Sequence, residues 1–350
     1  MTKKAENVIV GISIGDLNGI GAEVVLKTFE DTRMLEFCTP VIFANVKIMS
    51  FIKKALGLHD INLHGIDSID QMVHGRLNVL NVWTEGVNIE FGVNNDVVGD
   101  YAIKSFVAAT RALKQKDVDV LVTAPINKYN IQSEEFKFPG HTDYLNQQLD
   151  GDALMLMVHD NLRIGLLTDH LPVNEVSGHL TEELIKKKLL TINQTLKEDF
   201  RISKPKIAVL CLNPHCGDGG VIGNEDDKLL KPVLRELFDE GIHVFGPFSA
   251  DGFFGSGAYE KYDAVIAAYH DQGLVPFKTL SFGNGVNYTA GLEGIRTSPD
   301  HDTAYDIAGK GEADFNSFKE AVYLALDVFS NRNEYKEITK NPLKTKEKQL

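Results

Sequence analysis

The chain has 350 residues and a formal net charge of −13, with 36 Lys and Arg residues against 49 Asp and Glu. This length exceeds the roughly 250–300 residues at which one hydrophobic core stops growing, so we expect two lobes. The acidic balance argues against a nucleic-acid binder, because phosphate neutralisation requires a basic face. Three cysteines cannot form a disulfide framework, and no apolar run approaches the ~20 residues of a membrane span. We therefore expect a cytoplasmic protein.

Apolar runs alternate along the chain with segments of helical periodicity, which predicts an α/β fold with a largely parallel sheet. Several runs lack polar alternation, as is typical of strands that are covered on both faces. The predicted strands are 8–14, 40–44, 118–123, 154–158, 162–167, 206–212, 243–246 and 262–268. The predicted helices are 21–30, 47–56, 98–116, 182–196, 226–240 and 315–329. Residues 331–350 have few core-forming side chains and predict a flexible tail.

The first connection between a strand and a helix contains Gly15, Gly19 and Gly21 in the stretch GDLNGIGAE. This spacing resembles a dinucleotide-binding fingerprint. Two observations argue against that interpretation: the second strand has no acidic residue at its end, and the chain has no Tyr-x-x-x-Lys pair. A tight turn that lines a cleft is the favoured interpretation.

Three histidines follow three predicted strands. They are His170 in LRIGLLTDHL, His215 in KIAVLCLNPHCGDGG and His270 in YDAVIAAYHDQG. In open α/β sheets, ligands bind beyond the carboxyl ends of the strands, so these imidazoles are candidates for one metal centre. Asp169 or Asp271 would orient the rings. The alternative is that each histidine is a hydrogen-bonded loop residue.

Polar and cationic residues in glycine-rich segments form a second pattern. Arg and Lys bind phosphate through charge-assisted hydrogen bonds, and glycines let backbone amides approach a ligand. In an acidic protein, their grouping indicates an anion site. The candidates are Lys128 in TAPINKYN, His141 and Thr142 in FPGHTDYL, Lys278 in HDQGLVPFK, Asn287 in GVNYT and Arg296 in GIRTS.

The order of these motifs resembles that of the 4-hydroxythreonine-4-phosphate dehydrogenase family, over about residues 7 to 330. The matching stretches are GDLNGIGAE, TAPINK, PGHTDYL, TDHLPV, LNPHCGDGG, YHDQGLVPFK, GVNYTAGL and IRTSPDHDTAYDIAGKG. The sequence departs from the family pattern in the first turn, where Leu17, Asn18 and Ala22 replace Pro, Ala and Pro.

The resemblance implies two α/β/α lobes with a cleft between them, similar to isocitrate and isopropylmalate dehydrogenases. The first lobe would comprise residues 1–125 and 290–330, and residues 126–289 would form the second lobe and the dimerisation region. It also implies NAD as the cofactor, with NADP as the alternative, and a divalent metal. Zinc is the expected metal, with magnesium or cobalt as alternatives.

The family's site residues are carried over by motif. The implied metal ligands are His170, His215 and His270, with one ligand supplied by the partner subunit of a homodimer. The implied substrate contacts are His141, Thr142, Lys278, Asn287 and Arg296. The general base is not identified by the motifs; the candidates are Asp251 in SADGFF and a metal-bound water.

The implied reaction is oxidation of 4-phosphooxy-L-threonine to 2-amino-3-oxo-4-phosphooxybutanoate, which loses CO2 to give 3-amino-2-oxopropyl phosphate on the route to pyridoxal phosphate. One alternative is a dehydrogenase of a phosphorylated sugar acid such as 4-phosphothreonate. A more distant alternative is a zinc-dependent hydrolase, because an open metal site can activate water. A non-enzymatic sensor of a phosphate ligand is the least supported alternative, because the three metal-binding histidines would then have no function.

Overall fold

The computed structural model describes residues 7–134 and 136–341. Its strands are β1 Val8–Ser13, β2 Cys38–Ala44, β3 Leu63–Ile66, β4 Leu77–Asn81, β5 Val120–Thr123, β6 Gly151–His159, β7 Leu162–Leu166, β8 Ile207–Leu210, β9 Val244–Phe248, β10 Ala264–Ala267, β11 Val286–Leu292 and β12 Arg296–Pro299. Its helices are α1 Gly21–Thr28, α2 Met34–Phe37, α3 Val46–Ala55, α4 Asp96–Gln115, α5 His141–Gln148, α6 Val176–His179, α7 Glu182–Glu198, α8 Lys231–Asp239, α9 Ala250–Gly255, α10 His270–Ser281 and α11 Asn316–Thr339. A π-helical turn, Asp226–Leu230, precedes α8.

The strands of the described residues form one continuous sheet in the order β3-β4-β2-β1-β5-β12-β11-β6-β7-β10-β8-β9. The pairings are parallel except around β6 and β11, which run antiparallel to each other; β11 is also antiparallel to β12, and β6 to β7. Strands β1, β2 and β5 lie under helices and are almost wholly buried, which explains their continuous apolar sequence. The mixed α/β fold class is confirmed. The division into two lobes stays a prediction.

Each of the eight predicted strands is present, with bounds that shift by a few residues. Four further strands were not predicted: β3, β4, β11 and β12. The last two matter for function, because the polar stretches GVNYTAG and IRTS are strands in the middle of the sheet and not glycine-rich loops.

The six predicted helices are also present, but α11 is longer than expected. It continues to Thr339, so the predicted tail from residue 331 begins too early. Asn331 donates to the backbone oxygen of Asp199 at 2.7 Å, and Arg332 pairs with the carboxylate of the same residue. These contacts keep the last turns of the helix on the body of the protein. Residues 342–350 of the predicted tail lie outside the described residues.

The first glycine-containing turn is closed around Asp16. This buried carboxylate accepts hydrogen bonds from the backbone amides of Asn18 and Gly19, from Asn130 and from Tyr305. Gly15 has φ +69°, and a Cβ atom there would lie 2.2 Å from the backbone oxygen of Pro125. The amides that would bind a pyrophosphate are therefore already bonded, which supports the tight-turn interpretation.

The departure from the family pattern at residue 18 has a structural role. The side chain of Asn18 accepts a hydrogen bond from the amide of Glu90 at 2.9 Å and donates to the backbone oxygen of Val93 at 2.8 Å. These two bonds tie the turn to the loop before α4. They fix by side-chain bonding a turn in which the family pattern has prolines at the positions of Leu17 and Ala22. Among the described helices, none has the length and apolar character needed to cross a membrane.

Candidate active site

A cavity of about 260 Å³ lies over one face of the central strands β6, β11 and β12. Strand β5 ends at it, and the first residues of α5 and α10 lie at its edges. Eight of the predicted site residues line this cavity. They are Lys128, His141, Thr142, His170, His270, Lys278, Asn287 and Arg296. Motifs that are far apart in the sequence are thus brought to one place; His141 and Arg296, which are bonded to each other, are 155 residues apart.

Arg296 begins β12 and is 2% exposed. Its guanidinium donates to the hydroxyl oxygens of Thr123 and Thr289 and to the imidazole of His141. Among the described residues, no carboxylate forms an ion pair with it. Burial without a counter-ion lowers the pKa of Arg296 to about 9. A buried cation of this kind is stabilised by an anionic ligand, since an unpaired buried charge is costly.

His141 is the first residue of α5 and is bonded directly to Arg296. Its Nδ1 accepts a hydrogen bond from Nη2 of Arg296 at 3.0 Å, which places the ring hydrogen on Nε2. Burial lowers the pKa of His141 well below its usual value, and the charges of Arg296 and Lys128 lower it further. The ring is therefore neutral. Its buried Nε2 atom has no partner within the described part of the chain.

A second polar atom in the cavity is similarly unpartnered. Oδ1 of Asn287, on β11, is buried and has no hydrogen-bond partner among residues 7–134 and 136–341. Because buried polar groups in native proteins are nearly always bonded, these two atoms indicate the position of a ligand. Thr142 lies beside them in the first turn of α5, where Gly140 provides no side-chain cap.

Lys278 lies on α10 at the other side of the cavity and is paired with Asp300. Its ammonium donates to the backbone oxygen of Asp300 at 3.1 Å and pairs with the carboxylate, also at 3.1 Å. Burial raises the pKa of Asp300, and the charge of Lys278 opposes that rise. Lys278 is held at the cavity by this pair.

His170 and His270 face each other, with ring centroids 5.7 Å apart. Nε2 of His170 accepts a hydrogen bond from Lys128 at 3.2 Å, and burial lowers the pKa of this imidazole. Nδ1 of His270 is bonded to the Asp271 carboxylate at 2.7 Å, which leaves Nε2 for another partner. Asp271 thus orients a ring as expected. Asp169 does not: it accepts from the backbone amide of His170.

Within one chain, His215 does not lie beside His170 and His270. It lines a neighbouring cavity of about 810 Å³ between the loop after β8 and helices α9 and α10. Over the described ranges, no group of three His, Cys, Asp or Glu residues is placed to hold a metal ion. Within one chain, His170 and His270 lie together and His215 lies apart, so the convergence of three imidazoles stays a prediction.

Asp251, the candidate base, lines the same larger cavity as His215. Its carboxylate accepts from Ser249 at 2.7 Å, and this bond is the main reason why the pKa of Asp251 is lowered. Within one chain it does not line the cavity that contains Arg296. Cys216, which follows His215 in the sequence, is partly buried, and its Sγ lies 3.5 Å from the backbone oxygen of Pro247.

Asp300 and His301 also line the smaller cavity, although neither was predicted as a site residue from the sequence. Nε2 of His301 is buried and, like that of His141, has no partner among the described residues. Both residues directly follow β12, which ends at Pro299. Recognition of β12 as a strand would have identified them, because residues after a central strand end face the site.

Comparison with known proteins finds relatives over most of the chain. A relative from Bacteroides thetaiotaomicron, named 4-hydroxythreonine-4-phosphate dehydrogenase, is 46% identical over 337 residues, which are 96% of this chain and 92% of that protein. A relative of the same name from a Sulfurihydrogenibium species is 39% identical over 320 residues, covering 91% of this chain and 97% of its own. The crystal structure of a 4-hydroxythreonine-4-phosphate dehydrogenase from Burkholderia phymatum superposes with a TM-score of 0.75 at 31% identity, covering 93% of this chain and 99% of that one.

The fold, the cavity and these relatives define the class: the chain is an α/β oxidoreductase. The family follows from a sequence model described as "Pyridoxal phosphate biosynthetic protein PdxA", which matches residues 36–325. The chain belongs to the PdxA family.

Proposed function

We propose that the protein oxidises the C3 hydroxyl of 4-phosphooxy-L-threonine, with NAD as the hydride acceptor and a divalent metal in the active site. The observation that carries this proposal is the buried guanidinium of Arg296, which has no carboxylate partner among the described residues and lies in the same cavity as His170 and His270. A small anionic ligand that also carries metal-binding groups fits these features. The names of the relatives support the same substrate.

The phosphate would be bound at the cationic side of the cavity. Arg296 and Lys278 supply charge-assisted hydrogen bonds, each worth roughly 1.5–3 kcal/mol. His141 donates from Nε2, and the amide of Asn287 can present either its oxygen or its nitrogen. These residues are fixed by the sheet and by α5 before the substrate arrives, so they orient C3 toward the histidines.

His170 and His270 fit a divalent cation. Both rings offer a lone pair at Nε2, because Nδ1 of His270 is taken by Asp271 and Lys128 can only donate to His170. Two imidazoles on one tetrahedral cation, with bonds of about 2.1 Å, have centroids roughly 5–6 Å apart. The 5.7 Å separation agrees with this value. Such a cation, expected to be zinc, would supply electrostatic stabilisation of negative charge on the substrate's C3 oxygen.

The third histidine ligand would come from a second copy of the chain. His215 lies in the neighbouring cavity with Asp251, so a homodimer that joins one copy's larger cavity to the other copy's smaller one would complete the site. Asp251 would then stand near the substrate hydroxyl as the base. Its lowered pKa means that it is ionised, and thus able to accept a proton, at neutral pH.

Oxidation removes a hydride from C3 and a proton from its hydroxyl, and NAD, when bound, accepts the hydride. The product is a β-keto acid. As CO2 leaves C2, the C3 ketone accepts the electron pair, which gives 3-amino-2-oxopropyl phosphate after proton uptake. The residues that hold the C3 oxygen for oxidation are therefore also placed to favour decarboxylation.

The direct test is an assay of purified protein by NADH absorbance with 4-phosphooxy-L-threonine. Matched reactions use 4-phosphothreonate, unphosphorylated 4-hydroxythreonine, NADP in place of NAD, and a chelator. The proposal expects NADH formation with the phosphorylated amino acid and loss of activity on chelation. Faster turnover of 4-phosphothreonate would favour the sugar-acid alternative, and release of inorganic phosphate without NAD would favour the hydrolase.

A further inference from the structure

The loop that carries His215 is held in an unusual backbone conformation. Residues 215–219 all have positive φ, including the non-glycine residues His215, Cys216 and Asp218. Non-glycine residues rarely adopt positive φ values, so the surrounding structure must over-determine this conformation. Gly217 shows how close the packing is, since a Cβ atom there would lie 2.4 Å from the backbone oxygen of Gly223.

The contacts that hold the start of this loop come from Asp226. Its carboxylate is 0% exposed and accepts hydrogen bonds from the backbone amides of Leu212 and Asn213, at 2.8 and 3.0 Å. The side-chain amide of Asn213 donates to it as well, at 3.0 Å. Asp226 therefore fixes the two residues that connect β8 to the turn before His215.

The neighbouring acid extends this arrangement to a second histidine-bearing segment. Glu225 accepts from the side-chain amide of Asn213 at 2.8 Å and from the hydroxyl of Ser177 at 2.9 Å. Ser177 lies seven residues after His170. Glu225 thus connects the two segments, but its carboxylate is partly exposed. Among the described residues, the backbone amide that donates to it is that of Asn224, which lies after the positive-φ residues 215–219.

Nothing on the imidazole of His215 sets its direction. The ring is exposed, and within the described part of the chain it makes no hydrogen bond to a protein group. Its position is therefore set by the backbone, and the backbone is set by the contacts of Asp226. We propose that Asp226 is a positioning residue that holds the His215 loop in the conformation that ligates the metal. This inference rests on the metal site of the proposed function.

The test is Co²⁺ binding to metal-free protein, followed by the visible absorption of the bound ion. In Asp226→Asn, the side-chain NH2 group replaces one acceptor oxygen and faces the backbone N–H of Leu212 or Asn213. Two donors cannot bond to each other, so the loop loses its fixed conformation. Loss of an outer partner of a metal ligand typically weakens metal binding by about 10- to 100-fold, and we expect a weakening of this size. Activity at limiting metal falls in proportion and recovers when the metal is saturating.

The matched control is Asp227→Asn, because Asp227 is the adjacent acid and pairs only with Lys231 on the surface among the described residues. It should bind Co²⁺ like the wild type, whereas His215→Ala sets the lower limit of affinity. Thermal unfolding identifies a variant that fails to fold; in that case Asp226→Glu, which keeps the charge but displaces both acceptor oxygens from the amides of Leu212 and Asn213, decides the matter.

The outcomes separate the two proposals. If the wild type binds Co²⁺ and a folded Asp226→Asn or Asp226→Glu variant binds it equally tightly with an unchanged spectrum, the positioning role is overturned and the metal site stands. If the wild type binds no Co²⁺, the metal site itself fails, and the positioning role fails with it.

Discussion

Arg296 donates a hydrogen bond to Nδ1 of His141, and the two side chains together form a neutral donor next to a buried cation. Burial, and after it the charge of the guanidinium, lowers the pKa of His141 and keeps the imidazole neutral; a neutral imidazole in turn gives the guanidinium no negative partner. Both retain donors for a ligand, so the site is organised for an anion before the anion binds.

Replacement of Arg296 by Lys should raise KM for the phosphorylated substrate by about 10- to 100-fold, because a lysine cannot reproduce the planar fork that bonds Thr123, His141 and phosphate together. Steady-state kinetics with NADH absorbance measures this change. Turnover of unphosphorylated 4-hydroxythreonine should change much less. Arg76→Lys, at an exposed position, is the control. An equal effect on both substrates would contradict the assignment of Arg296 to phosphate.

Stability should decrease as the pH falls below about 6.5. The pKa of the partly buried His141 is lowered in the folded chain, so between its folded and unfolded pKa values only the unfolded chain takes up a proton there. The free energy of unfolding then decreases by up to about 1.4 kcal/mol per pH unit for this group. His170 and His301, whose pKa values burial also lowers, contribute in the same direction.

Urea unfolding of metal-free protein at pH 7.5, 6.5 and 5.5 measures this dependence. His141→Gln should reduce the slope, while His59→Gln, at an exposed position, should leave it unchanged. An unaltered slope in His141→Gln would show that His141 is protonated in the folded state as readily as in the unfolded one.

The sequence predicted the strands that are continuous apolar runs, because burial on both faces leaves a clear pattern. It did not predict β11 and β12. Their inward side chains, such as Asn287 and Arg296, are polar because they face the cavity, and function has replaced the usual apolar pattern. The same residues were still identified as site candidates, since cations and amides near glycine indicate ligand binding whether the backbone is a loop or a strand.

The grouping of the histidines shows the opposite limit. Strand-end position placed His170 and His270 together, because β7 and β10 are adjacent and parallel. The same rule grouped His215 with them, because β8 is also a parallel neighbour of β10. The positive-φ loop after β8 carries His215 into the other cavity, and the conformation of that loop depends on Asp226, a contact that no local pattern reveals.

Arg332 should be more important for stability than its place near the chain end suggests. It is bonded to the buried carboxylate of Asp199, which also accepts from the hydroxyl of Tyr288 at 2.5 Å. Arg332→Met leaves that carboxylate uncompensated, and breaking such a pair costs about 3–5 kcal/mol. Urea unfolding should show this loss. Arg201→Met breaks an exposed ion pair with Glu334, which lies on α11 like Arg332, and should cost less than about 1 kcal/mol. Equal losses in the two variants would contradict the role of the buried pair.

Inactive variants should complement each other if the metal site is shared between two copies. We expect His170→Ala and His215→Ala to be inactive separately, because each removes a ligand from both sites of a homodimer. In a heterodimer of the two, one site combines the intact His170 and His270 of one copy with the intact His215 of the other. Co-expression with two affinity tags and purification through both should therefore give about half of the wild-type activity.

The control for complementation is the pair His170→Ala and His270→Ala. These residues lie in the same cavity of one chain, so each site of their heterodimer lacks one ligand and activity should not return. NADH formation, measured with bound zinc in the same samples, distinguishes the cases. A site built within one chain would give no recovery with either pair, since every chain then carries a defect in its own site; recovery with both pairs would mean that the three histidines do not belong to one centre.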